Sequence, residues 1–181
     1  MFRPRTLLFA LAAASALLAQ DFGPVVKVAR KAYPDRAHFG TVCNYGISRE
    51  SVEALLSALP EGTTLTVVDA RHPIQIERAA IVLAKRGVEL LALMPNDPLV
   101  HDGSPFASLV VHRVRDLIPA FGTSPAALKN GCVMAMGKAT NWELLYDPKI
   151  RGIIEVTGAE PLPMGTKGGP RATLDLVTGP F

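Results

Sequence analysis

The segment HFGTVCNYGISRESVEALLSAL, residues 38–59, decides the fold. Its first part, FGTVCNYG, is an apolar run rich in strand-forming residues and too short for a helix. Ser48-Arg49-Glu50-Ser51 then supplies an N-cap, and Val52, Leu55, Leu56 and Leu59 recur three or four residues apart. That spacing predicts a helix opening at Ser48, with one apolar face, stopped by Pro60 and Gly62. A strand leading directly into an amphipathic helix is the repeating unit of a parallel sheet, because parallel neighbours need a long crossover.

The unit repeats along the chain. LTVVDA at 65–70 reads as a second strand, followed by a helix with Pro73 in its first turn and a buried stripe of Ile76, Ala79, Ala80, Leu83 and Ala84, up to Gly87. VELLALMP (88–95) is a third strand, NDPLVHDGSP (96–105) a loop, and Ser104 to Val114 a helix with Leu109, Val110 and Val114 inward. IPAFG (118–122) and CVMAMG (132–137) are the fourth and fifth strands, separated by a short helix from Ala126 to Lys129 that Ser124-Pro125 opens. Trp142 to Tyr146 reads as helical, and RGIIEV (151–156) as a sixth strand. Upstream, Pro24 to Tyr33 fits a short helix ended before Pro34. The expectation is an α/β domain over 24–156: three layers, flavodoxin-like, with a mainly parallel sheet covered on both faces. Residues 157–170 contain four glycines and three prolines, so 157–181 reads as a tail, with one late strand in RATLDLVT (171–178).

The first sixteen residues, MFRPRTLLFALAAASA, set the compartment. Arg3 and Arg5 form a basic segment, Thr6 to Ala14 is apolar and uncharged, and Ala14-Ser15-Ala16 offers a cleavage site, so 1–16 reads as a signal peptide and the protein as periplasmic or secreted. The run is short for a membrane span, which needs roughly 20 residues. No cysteine follows it to carry a lipid. Removing Arg3 and Arg5 takes the formal charge from +3 to +1, and no basic run remains to read a phosphate backbone, which excludes nucleic acid as a partner.

Most catalytic chemistry fails on spacing. His38, His72, His101 and His112 are scattered and none pairs with a second metal ligand. NYGIS lacks the glycine spacing of a phosphate loop, and GTKGG at 165–169 follows proline-broken sequence. Ser124 sits at a strand-to-helix turn, where helix capping competes with nucleophilic catalysis and no histidine is locally paired with it. Asp69 follows a strand as the acceptor of a phosphorylatable receiver would, yet the first strand ends in CNYG and lacks the acidic pair such receivers need. No acid, base and nucleophile set assembles, so no enzyme activity and no cofactor are expected. Cys43 and Cys132 are open to two readings, a disulfide in an oxidising compartment or two small buried hydrophobes. Asp97, in MPNDP, lies at the sheet's carboxyl edge, where open α/β sheets bind ligands, or else makes an Asx turn before Pro98.

These segments resemble one lobe of the type I periplasmic substrate-binding proteins of ABC transporters, in particular the family that includes aromatic amino-acid binders. Residues 38–59 are similar to that family's strand, Asn-containing turn and helix. LLALMPNDPLV (90–100) is similar to its strand and Asp-containing loop, and IPAFGTSPAALKNGCVMAMG (118–137) to its strand, Ser-containing turn, short helix and following strand. The resemblance implies ligand-binding roles for Asn44 and Ser48 in the first turn, Asp97 in the second, and Thr123 and Ser124 in the third. Asp97 would meet a substrate's amino group, and N–H groups or hydroxyls at the helix starts its carboxylate. It implies a small solute such as an amino acid, and membrane transporter components, as partners. The resemblance covers a single lobe, whereas the family closes two around its ligand, so a homodimer and a periplasmic interaction or regulatory scaffold are the alternatives.

Overall fold

The computed structural model describes residues 22–114, 117–136, 144–146 and 172–179. The leader at 1–16, the strand expected at 151–156 and the Gly/Pro-rich stretch at 157–170 lie outside them. Helix α1 (Gly23–Ala32) precedes β1 (His38–Cys43), α2 (Tyr45–Ala58) and β2 (Thr64–Asp69). A 3₁₀ turn (Pro73–Gln75) leads into α3 (Ile76–Lys85), followed by β3 (Leu90–Ala92), α4 (Pro105–Val114), β4 (Ala120–Gly122), α5 (Ala126–Lys129) and β5 (Met134–Met136). Two more strands complete the sheet, β6 (Leu144–Tyr146) and β7 (Thr173–Val177).

The strand order is β6-β5-β4-β3-β1-β2-β7, and every pairing is parallel except β5 with β6. Read from β2 to β5 this is the flavodoxin-like order 2-1-3-4-5. Helices α1 and α2 cover one face, where Leu55 clusters with Phe39, Leu65, Val67 and Phe121, and α3 and α4 the other, where Leu83 clusters with Val42, Val68, Leu91 and Leu93. The three-layer α/β fold is as the alternation of strands and helices predicts. On the α3 face β1 has no side chain at Gly40, and a Cβ there would lie 2.7 Å and 2.8 Å from the two methyls of Val88. That position lets the turn after α3 close onto the sheet.

Three local expectations change. Helix α2 begins at Tyr45, one turn before Ser48, because its first N–H groups find partners outside the helix. In α4 the buried stripe is Ala107, Val110, Val111 and Val114, and Leu109 is 41% exposed on the opposite side. Leu144–Tyr146 is a strand and not helical: it pairs antiparallel with β5, Met134 opposite Tyr146. The late strand expected at 171–178 is β7, in parallel register with β2 from Thr64 opposite Thr173 to Val68 opposite Val177. Asp175 helps hold it there, accepting from the Thr66 hydroxyl at 3.1 Å and facing Arg86 at 3.3 Å. No helix among the described residues is long and apolar enough to cross a membrane.

Candidate functional site

The turns after β1, β3 and β4 emerge side by side at the carboxyl edge of the sheet, because those strands are neighbours in the order β4-β3-β1. Asn44 and Ser48 follow β1, Asp97 follows β3, and Thr123 and Ser124 follow β4. All five predicted residues therefore lie on one edge.

Asp97 joins the first two turns. Its Oδ2 accepts from the Asn44 N–H at 2.6 Å and the Ser48 hydroxyl at 2.8 Å, and its Oδ1 from the N–H groups of Leu99 and Val100 at 2.9 and 2.7 Å. Asp97 makes the Asx turn, and it also sits at the start of α2, where a carboxylate satisfies orphan N–H groups and complements the helix dipole. Asp69, from the end of β2, does the same for the Tyr45 N–H at 3.0 Å, while Arg71 donates to its other oxygen at 2.8 and 3.0 Å. The cap of α2 is thus built from distant carboxylates, and no side chain of its own caps it.

The third turn is held by a residue that sequence reasoning passed over. Asp102 lies in the same loop as Asp97, and its Oδ2 accepts from both the N–H and the hydroxyl of Thr123, each at 2.9 Å. Asn130, after α5, donates to the backbone oxygens of Asp102 and Ser104 at 2.6 and 3.1 Å. Ser104 caps α4 by accepting from the Ala107 N–H at 2.9 Å. Ser124 contributes its carbonyl, not its hydroxyl, to the Ala127 N–H. The aspartate of HDGSP reads in sequence as one more loop residue, and its partner stands 21 positions away.

The edge combines closed and open groups. Asp69, Asp97, Asp102, Ser48 and Thr123 are buried, whereas Asn44 and Ser124 are half-buried and so reach its surface. Burial raises the pKa of Asp102, against the opposing effect of hydrogen bonding from Thr123 and Ser124. Burial also pushes both thiols up, reinforced at Cys43 by Asp97 and Asp69 and at Cys132 by Asp102. Both cysteines are free. They belong to clusters on opposite faces of the sheet, which answers the disulfide question. Among the described residues no group of three or more His, Cys, Asp or Glu is placed to hold a metal ion.

Fold and edge together define a flavodoxin-like α/β domain with its loops gathered at the strand switch point. Among solved structures, the chain is similar to a conserved domain protein from Vibrio cholerae, with 16% identity and a TM-score of 0.50 over 88% of this chain and 51% of that one. It also matches a putative histidinol-phosphate aminotransferase from Erwinia carotovora atroseptica, with 10% identity and a TM-score of 0.48 over 78% of this chain and 48% of that one. The first likeness is one of fold, and the chain spans about half the length of each structure. No family model matches the chain, and no curated protein does.

Proposed function

We propose that the chain is a solute-binding lobe of the kind found in exported ABC-transporter binding proteins, taking a small solute over the carboxyl edge of its sheet. The observation that carries this reading is the placement of Asn44 and Asp97 at the ends of β1 and β3. The strand order reverses between those two strands, and open α/β sheets receive ligands at such a switch point. In this reading Asp97 and Thr123 shape the turns, and Asn44 and Ser124 present polar groups to the solute. The basic and apolar leader supports delivery to the periplasm or the exterior, with membrane transporter components as the next partner. No reaction and no cofactor are assigned. A solute on one lobe is covered from one side, so a second wall from another lobe or a partner completes its burial.

A thermal-shift panel of amino acids and other small solutes tests this. A solute at 100 times its dissociation constant stabilises by about 2.7 kcal/mol, a rise of about 5 °C or more in a chain of this size. Asn44→Ala combined with Ser124→Ala should abolish that rise. A flat melting temperature across the panel overturns the reading.

A second reading, protein docking at the same edge, is favoured by Ile47 and Ile74, which are 63% and 87% exposed beside the turns after β1 and β2. Sedimentation separates the two. A concentration-dependent dimer lost in Ile47→Ser with Ile74→Ser supports docking, and a monomer throughout supports the solute site.

A further inference from the structure

We propose that this edge selects a cationic solute, an organic ammonium or guanidinium compound, over an anionic one. The inference rests on the reading of the edge as a solute site and goes beyond it by fixing the charge of what binds. It also reverses the family-based expectation that a solute carboxylate is held at the helix starts.

Most of the donors an anion would use at these turns are already taken, the side-chain amide of half-buried Asn44 excepted. At the start of α2, the N–H groups of Asn44 and Tyr45 donate to Asp97 and Asp69, and the Ser48 hydroxyl donates to Asp97 as well. Two more N–H groups of the β3 turn, from Leu99 and Val100, donate to the other oxygen of Asp97. In the third turn both the N–H and the hydroxyl of Thr123 donate to Asp102. A hydroxyl has one hydrogen, so Ser48 and Thr123 keep only lone pairs, which accept. The positive end of the α2 dipole, the usual seat for an anion, is filled by the protein's own carboxylates.

The charge beneath the edge has the matching sign. Asp69 is paired with Arg71 at 2.8 Å. Asp97 and Asp102 form no ion pair with any described residue, and both are buried, where solvent screens them weakly. An independent observation marks where a counter-charge is missing. Asp102 is 4% exposed, and although Ser124 joins Thr123 in favouring its charged form, its Oδ1 has no hydrogen-bond partner of normal geometry. That oxygen occupies the notch left by the absent side chain of Gly122, the last residue of β4, where a Cβ would meet it at 2.6 Å. The uncompensated oxygen therefore lies at the base of the turn that carries Thr123 and Ser124. With no metal-binding group among the described residues, the complement is an organic cation held by charge and by acceptors. The Asn44 carbonyl and the Ser124 oxygen are the half-buried acceptors at hand.

The experiment is a titration of the full chain with butylamine and agmatine as ammonium and guanidinium probes, and glutarate as the anion, followed by calorimetry and thermal shift. The cations should bind at least about tenfold more tightly than glutarate. Their binding should weaken between about 50 mM and 500 mM NaCl, and again as the pH falls and Asp102, its pKa raised by burial, takes up a proton. Asp102→Asn keeps an oxygen for Thr123 and should lower cation affinity about tenfold or more. If Asp102→Asn does not fold, the salt and pH series on the natural sequence decides the matter. Glutarate binding as tightly as the cations overturns the charge inference and leaves the solute site standing. If neither class binds, nor any solute in the wider panel, the solute site falls and this inference with it.

Discussion

At the scale of single residues, Asp97 gathers more of the edge than any other side chain, with four hydrogen bonds from two turns and the start of a helix. Replacing it by alanine leaves buried N–H groups without acceptors, each costing about 1–3 kcal/mol, so Asp97→Ala should lose about 3 kcal/mol or more. Asp97→Asn keeps one oxygen and should lose less. Urea denaturation measures both, and an alanine variant within about 0.5 kcal/mol of the natural chain would show that these bonds do not hold the edge together. The position of Asp97 was legible in the sequence because MPNDP combines a strand end with a turn. Its saturation was not, since two of its donors, Asn44 and Ser48, come from a turn about fifty residues earlier. Asp102 was invisible for the same reason, and only the adjacency of β3 and β4 brings it to Thr123.

At the scale of elements, tertiary contacts decide where the sequence signals were local. The pattern in α2 was read correctly for its buried Val52 and Leu55, but its start moved one turn because the cap arrives from β2 and β3. β7 was readable from the alternation in RATLDLVT, while its place beside β2 depends on register and on Asp175, which no local pattern announces. Packing is close where the turn after α3 meets β1. A Cβ at Gly40 would press on both methyls of Val88, and overpacking of this kind costs about 1–3 kcal/mol. Gly40→Ala should therefore destabilise, and Val88→Ala in the same chain should recover part of the loss. A double-mutant cycle by urea melts should give a compensating coupling of about 0.5 kcal/mol or more. Strict additivity would mean that the turn after α3 yields without strain.

At the scale of the molecule, the sheet divides the core into two apolar layers and places one thiol in each. The class of fold was legible because short apolar strands alternate with amphipathic helices. The strand order was not, since nothing in local periodicity says that β3 lies beside β1 and not beside β2. The two layers make the cysteines reporters of how the molecule opens. Cys43 packs beneath α1 and α2 and Cys132 on the side of α3 and α4, each 2% exposed or less. The thiolate is the reactive form, and burial raises both thiols well above their ordinary range, so reagent must wait for unfolding. The native chain should show no titratable thiol toward an aromatic disulfide reagent, and the chain in guanidinium should show both. If the layers open together, the two thiols label at one rate that follows global stability. If the α4 and α5 side opens on its own, Cys132 labels faster than Cys43, and mass spectrometry of partly labelled chains tells these outcomes apart. A native chain that labels at once would contradict the burial of both. Because the sheet stands between the thiols, an oxidising compartment should leave them reduced in the folded chain, and a Cys43 to Cys132 bridge should form only after the layers have come apart.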